Sequence, residues 1–417
     1  MSSESAGAQQ RGGRRVRLAY LVSHPIQYQA PLLRRIAQEP EIDLTVYFGS
    51  DFSVRGYRDA GFGVDFKWDI PLLDGYRHEF LPKLRDRGNA SFASPLNYGT
   101  VRRLRGSGGE AAFDALWVHG YGTANALHGM VAAKLLGIPV LLRAESWLGD
   151  RERDGTKLAL KAIFFAGLKR MVDGVLPIGR LNAEYWRHYF GDSVPQFAMP
   201  YAVDNRYFAE RARAARDSRA SLQAELGLDP ARRVILFAGK LQARKHCDHL
   251  IEAYARSTRA PEAGLRAHLV IVGDGEQRAA LERQAAATGL DGIRFCGFRN
   301  QSELPRFFDL ASVFVLPSRH EPWGLIVNEA MNAARPVIVS DDVGCAPDLV
   351  SDGENGCIYP VGDVDALASA LGRVLNTAGA AEAMGERAFE RIQRWGFEED
   401  VRGLRRALAH VAPGFVA

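Results

Sequence analysis

The segment His320-Glu321-Pro322-Trp323-Gly324-Leu325-Ile326-Val327-Asn328-Glu329 comes directly after the apolar run Ser312-Val313-Phe314-Val315-Leu316-Pro317-Ser318 and opens a helical stretch reaching Ala334. The pattern reads as a strand, a loop and a helix N-terminus. Glu321 then falls in the loop, and Glu329 a turn or more into the helix. The backbone N–H groups of Gly324 and Leu325 have no partner inside such a helix, so the joint suits a phosphate. A carboxylate on either side of it can hold sugar hydroxyls. After the helix, Arg335-Pro336-Val337-Ile338-Val339 reads as a further strand, and strand–helix–strand is the unit of a parallel α/β sheet.

Apolar, β-rich runs alternate with helical segments along the whole chain. In the first half they are Val16–Ser23, Asp43–Gly49, Ala115–His119, Pro139–Arg143 and Gly174–Ile178. In the second they are Arg233–Ala238, His268–Gly273, Ile293–Gly297, Val313–Pro317 and Pro336–Ser340. Two sets of similar size predict two doubly wound domains. The join is expected near Met199–Phe208, with a charged helix over Arg206–Leu226 after it. Residues 1–14 are expected to be a disordered basic tail, 15–202 the first domain and 203–392 the second. A last helical region over Glu386–His410 is expected to return to the first domain through about residues 393–417. Gly49–Asn97, rich in Gly, Pro and aromatic residues, has no clear period and reads as an insertion shaping the acceptor side.

Composition bounds the class. A chain of 417 residues with 47% hydrophobic and 24% charged residues is ordinary for a globular protein of two or three domains. The net charge of +4 is gathered in the first half, partly in Arg11, Arg14 and Arg15. It forms no concentrated basic stripe, which speaks against nucleic acid as a partner. No apolar stretch is long enough to cross a bilayer and no secretory pattern opens the chain. Cys247, Cys296, Cys345 and Cys357 show no C-x-x-C spacing and read as reduced thiols of a cytoplasmic protein.

Glu321 and Glu329, the intervening Pro-Trp-Gly-Leu and the flanking strands resemble the E-x7-E signature of retaining GT-B glycosyltransferases, in particular glycosyltransferase family four. The resemblance implies two Rossmann-like domains facing a central cleft, with the C-terminal helix crossing back. It also implies site roles. Ala238-Gly239-Lys240-Leu241-Gln242-Ala243-Arg244-Lys245 resembles the Gly-Arg-Leu…Lys-Gly motif, whose two cations hold the donor diphosphate. Lys240 replaces the arginine and Lys245 matches the lysine; a lysine keeps the charge but loses the bidentate fork. Arg244 reads as a surface residue. Glu329 would hold the ribose, Glu321 the transferred sugar, and the loop at Phe298, Arg299 and Asn300 the nucleobase. Gly273-Asp274-Gly275 reads as a tight turn that lines the donor pocket at most. Met199-Pro200-Tyr201-Ala202-Val203-Asp204 resembles the family's interdomain Pro-Asn-Gly-Val-Asp linker, with Tyr201-Ala202 in place of Asn-Gly.

On the first domain, His119 ends a strand where relatives carry a histidine that reaches the transferred sugar. Arg143 and Glu145 end the next strand and read equally as substrate contacts or as a buried ion pair. Ser23-His24-Pro25-Ile26-Gln27-Tyr28-Gln29-Ala30-Pro31 departs from the family's glycine-rich loop, and His24 and Gln27 are its acceptor-side candidates. Asp363-Val364-Asp365 is explained by helix capping, so no metal set and no cofactor is expected. The helix Thr156–Met171, with Lys157, Lys161, Lys169 and Arg170, is expected to pack on the core, a membrane surface being the alternative. The expected reaction is transfer of a hexose-type sugar from a nucleotide diphosphate-sugar to a hydroxyl of a lipid-linked sugar, a polysaccharide or a small glycoside. Polysaccharide or glycolipid assembly at the inner face of a bacterial membrane fits it. The alternatives are a sugar-nucleotide hydrolase or epimerase, and a non-catalytic sugar-nucleotide-binding subunit.

Overall fold

The computed structural model describes residues 15–58, 61, 63, 65–106, 111–150, 155–260 and 264–415. The expected basic tail over residues 1–14 lies outside the described residues. Two six-stranded sheets carry the fold. The first runs, edge to edge, Gly174–Val175, Val140–Arg143, Ala115–His119, Val16–Val22, Ile42–Phe48 and Arg77–Phe80. The second runs Ile293–Phe295, Ala267–Val272, Arg233–Ala238, Val313–Leu316, Val337–Ser340 and Gly356–Tyr359. All neighbouring pairs are parallel. In chain order both sheets read 3-2-1-4-5-6, the doubly wound order.

Both faces of each sheet are covered, which is why the strands read as continuous apolar runs. Val234, Leu236 and Ala238 enter one core of the second sheet, while Ile235 and Phe237 enter the other. Leu18, Tyr20 and Val22 divide from Ala19 and Leu21 in the same way in the first. Each such Val, Leu or Ile contributes about 1.5–3 kcal/mol by leaving water.

Each sheet gains a sixth strand that the sequence reading omits. Arg77-His78-Glu79-Phe80 pairs with Thr45–Phe48, inside the segment read as an insertion without a period. An edge strand needs only one pairing partner and is half-exposed here, so polar residues suffice. The charged helix expected over Arg206–Leu226 is two helices, Asn205–Ala215 and Arg219–Glu225. The helical region Glu386–His410 is likewise broken: Ala380–Ile392 ends before Trp395, and Phe397–Val411 starts after Gly396. In that last helix Val401, Leu404, Ala407 and Leu408 lie in the core of Leu18 and Val46. Arg405 pairs with Glu39 at 2.8 Å and Glu398 with Arg35 at 2.8 Å. Asp363 caps Val364–Leu375 by accepting from the Ala366 N–H at 2.9 Å. The four thiols are free.

The helix Gly155–Lys169 departs from expectation. Phe165 and Leu168 are buried, but Leu158, Leu160, Ile163 and Phe164 are exposed, Ile163 by 73%. Among its described side chains only a narrow stripe packs on the core; the other apolar ones face out.

Candidate functional site

In a doubly wound sheet the crevice opens where the strand order reverses, beyond the carboxyl ends of the first and fourth strands. In the second sheet these ends are Ala238 and Leu316, and the loops that follow are Gly239–Lys245 and Pro317–Gly324. In the first they are Val22 and His119, followed by Ser23–Tyr28 and Gly120–Thr123. A cleft of about 730 Å³ is lined from both sides.

The second domain supplies most of the lining: Gly239, Lys240, Arg244, Lys245, Gly273, Phe298, Arg299, Glu321, Gly324 and Leu325 among others. Two loops touch backbone to backbone at its floor. A Cβ at Gly273, where φ is +136°, would stand 1.8 Å from the Gly239 carbonyl oxygen. Only glycine permits that approach, and it lets the Lys240 loop follow the sheet edge. Gly324 takes φ +91° and caps Leu325–Asn332 without a side chain, leaving the first N–H groups of that helix at the cleft.

The cations are already engaged. Lys245 is buried and its ammonium donates to Glu321, while Arg244 reaches the same Glu321 oxygen at 3.2 Å. Burial would raise the Glu321 carboxyl, but Lys245 and Arg244 outweigh it and hold the group below the usual carboxylate range. Burial draws the Lys245 ammonium down even though Glu321 opposes it. Arg244 is exposed, as read from the sequence, and also lines the cleft. The Glu321 loop is held by the Asp342–Cys345 loop: Glu321 N–H donates to Asp342 O at 3.1 Å and Gly344 N–H to Glu321 O at 2.9 Å.

Glu329 is placed differently from the expectation. It is fully buried and neither carboxyl oxygen finds a donor in hydrogen-bonding geometry. Burial raises it to about 8, and only the nearby Tyr28 hydroxyl works the other way. Tyr28, from the first domain, itself lines the cleft and lies beside Glu329. The sequence reading passed over Tyr28, although it adjoins Gln27 in the quoted loop.

Of the first-domain candidates, Gln27 and Glu145 line the cleft. His119 lies behind them: its Nε2 is 2.9 Å from Gln29 Nε2 and 3.6 Å from Glu145 Oε1, and its Nδ1 is buried without a partner. Tyr20 donates to Gln29 at 2.5 Å, and Tyr201 donates to Glu145 at 2.6 Å. Burial would raise Glu145, yet His119, Tyr201 and Arg143 keep it below its ordinary value. His24 does not line the cleft; its ring packs on Phe52 at 4.3 Å and it pairs with Ser23 at 2.9 Å. Burial lowers it to about 4, so it is neutral near pH 7. For Arg143 the structure shows the buried ion pair, not a substrate contact. Its guanidinium donates to Met199 O at 3.1 Å, Pro200 O at 2.9 Å and Asp400 at 3.2 Å. Asp400 and Arg143 are both fully buried, so this pair ties the returning helix and the linker to the first sheet instead of meeting a substrate.

The segment read as acceptor-side reaches the other domain. Asn300 donates to Lys67 O at 2.7 Å, and the Ser302 N–H lies 3.3 Å from Asp69 Oδ2. Gly61 and Trp68 of that segment, with Gln301 opposite, join the cleft wall. No local signal marks these residues, because their partners lie more than 200 positions away. Among the described residues, no group of three His, Cys, Asp or Glu side chains is arranged to hold a metal ion.

Residues 218–391 match the family model described as Glycosyl transferases group 1. The chain is 36% identical over 171 residues to alpha-D-kanosaminyltransferase of Streptomyces kanamyceticus, covering 41% of this chain and 43% of that one. It is 34% identical over 239 residues to D-inositol 3-phosphate glycosyltransferase of Streptomyces bingchenggensis, covering 56% and 51%. The chain thus spans about half the length of the curated relatives it matches. Among solved structures, Anabaena HepE in complex with UDP and glucose superposes with a TM-score of 0.70 at 18% identity, over 95% of this chain and 100% of that one. Sucrose-phosphate synthase from Thermosynechococcus elongatus gives 0.66 at 20% identity, over 94% and 98%. These likenesses identify the architecture as the GT-B fold.

Proposed function

We propose that the protein is a retaining glycosyltransferase that moves a hexose-type sugar from a nucleotide diphosphate-sugar to a hydroxyl. The observation that carries this reading is the cluster of Lys240, Arg244 and Lys245 beside the Gly324 helix N-terminus, at the switch point of the second sheet. Cations and free backbone N–H groups in one recess suit a diphosphate. Glu321 holds Lys245 and Arg244 in place before the donor arrives. An incoming diphosphate takes over those cations and frees Glu321 for the sugar hydroxyls. The bond from the anomeric carbon to the diphosphate breaks, the acceptor oxygen bonds to that carbon on the same face, and the leaving diphosphate takes the acceptor proton. Glu145, with His119 behind it, positions the sugar from the opposite wall, and Gln27 faces the acceptor. The matched Glycosyl transferases group 1 model and the names of the relatives support the same reaction class.

Calorimetry with UDP-, GDP-, ADP- and dTDP-sugars, without added metal, tests it. Selective binding that is weakened in Lys245→Ala is expected. Folded protein that binds none of them defeats the proposal. Donor turnover without an acceptor points to a hydrolase or epimerase, and binding with no turnover over an acceptor panel to a non-catalytic subunit.

The helix Gly155–Lys169 favours an acceptor presented at a membrane. Leu158, Leu160, Ile163 and Phe164 are exposed on it, and the Phe164 ring lies 6.0 Å from that of Tyr121, two residues past His119. The helix carries lysines and no acid, a match for an anionic lipid surface. Vesicles containing phosphatidylglycerol are expected to sediment the protein, and phosphatidylcholine vesicles to do so weakly. Ile163→Glu should abolish the difference. Equal sedimentation of that variant, or a dimer whose interface contains Ile163, overturns the membrane assignment.

A further inference from the structure

The geometry points to Trp68 and Gln301 as a base-selecting wall of the cleft: Trp68 is the face on which the donor's nucleobase stacks, and the Gln301 amide oxygen accepts from an N–H on the base edge. This rests on the proposed nucleotide-sugar reading and adds residues to it that the E-x7-E segment does not contain.

Three contacts set the wall. The Lys67 carbonyl accepts from Asn300 at 2.7 Å, and the Asp69 carboxylate accepts from the Ser302 N–H and hydroxyl. Trp68 and Gln301 are the residues between these two anchors on their respective strands of chain, and both line the same cleft. On the other side of the insertion, the Gly61 carbonyl approaches Gly275 so closely that a Cβ there would stand 2.9 Å away. The first-domain segment is thus fastened to two loops of the second sheet, those after Ala267–Val272 and Ile293–Phe295. With the chain anchored on both sides of Trp68, little further backbone freedom is lost on binding, which favours stacking over a loose contact.

Gln301 supplies the second, independent observation. It is 6% exposed and its Oε1 has no hydrogen-bond donor. A buried carbonyl oxygen left without a donor is destabilising, and a ligand N–H removes that penalty. Phe298, Arg299 and Leu304 line the same cleft. A planar group bearing N–H donors suits Trp68 and Gln301, and a diphosphate suits Lys240, Arg244 and Lys245. Uracil, thymine and guanine offer a ring N–H; adenine offers only its exocyclic amine.

The test measures binding of UDP, dTDP, GDP, ADP and inorganic pyrophosphate to the full chain by calorimetry and by quenching of tryptophan fluorescence. For the preferred nucleotide, Trp68→Ala should weaken binding roughly 10- to 100-fold, as loss of one base-stacking ring does. Trp68→Phe should keep most of the affinity, and pyrophosphate binding should be unchanged in both. Gln301→Ala should narrow the preference between bases about tenfold. If Trp68→Ala and Trp68→Phe, folded by thermal melting, bind the preferred nucleotide as the wild type does, the wall is overturned while the donor site stands. If pyrophosphate weakens in parallel with the nucleotide, the effect is on the cleft as a whole and the assignment fails. Wild-type protein that binds no nucleotide defeats the underlying reading instead.

Discussion

The two sheets share one strand order, yet the ends of their strands are furnished differently. Beyond the second sheet, Lys240, Arg244, Lys245 and the Gly324 helix N-terminus face a cleft. Beyond the first, Tyr20, Gln29, His119, Glu145 and Tyr201 are bonded mainly to one another, with Arg143 and Asp400 locked beneath. One end stores positive charge against a single carboxylate that a ligand can displace. The other is a closed network that fixes a few groups, Glu145 and Gln27, at the wall. A shared topology therefore sets where a site lies, and the charge at the strand ends sets which partner it takes.

This contrast breaks if the first-domain network proves to be substrate-binding. Arg143→Met leaves Asp400 buried and uncompensated, and should cost about 3–5 kcal/mol of stability. Thermal and denaturant melts should show that loss, with the Michaelis constants unchanged where the protein is folded. A changed KM at unaltered stability would return Arg143 to the substrate side.

On the other side, Lys245→Ala should lower kcat/KM about 10²- to 10³-fold, the scale for losing one preorganised charge partner. Lys245→Arg should recover part of it. Progress curves at subsaturating donor read this directly, and an effect under threefold would mean that Lys245 serves only to neutralise Glu321.

Glu329 provides a pH handle. Its carboxyl is raised to about 8 in the fold and lies near ~4.3 when unfolded. Between these values the folded protein holds a proton that the unfolded chain has lost. Stability is therefore present below about pH 4.3, falls as pH rises through the window and is fully lost above about 8. Glu329→Gln should flatten that decline and gain on the order of 3–4 kcal/mol near pH 7 without donor. Melting curves of the two proteins from pH 5 to 8.5 that run parallel would show that Glu329 stays ionised. The smallest effect expected is at Gln27, where Gln27→Ala should raise the acceptor KM about fivefold, the worth of one ordinary hydrogen bond, and leave the donor KM unaltered.

Legibility follows the same divide. Lys240, Lys245, Glu321 and Gly324 sit within two short stretches where strand, loop and helix are each set by neighbours in sequence. His24 and His119 stand in equally clear positions at strand ends. Their rings turn instead toward Phe52 and Gln29, which no local pattern announces. Arg143 looked the same from the sequence whether it met a substrate or Asp400, because its partner lies 257 positions on. The polar strand Arg77–Phe80 was hidden for a related reason: its role comes from pairing with Ile42–Phe48, not from its own composition.

What the chain determined by itself was periodic and local: two sheets buried on both faces, their order of elements, and a phosphate-suited joint at Gly324. Apolar runs, glycines and helix starts act over a few residues, so they are written where they work. Only the tertiary structure decided which side chains line the cleft. It joined Lys67–Asp69 to Asn300–Ser302, set Tyr28 beside Glu329, and left an apolar helix face at Leu160 and Ile163 uncovered. Those outcomes depend on how two domains and a returning helix pack, and packing is a property of surfaces that meet only after the chain has folded.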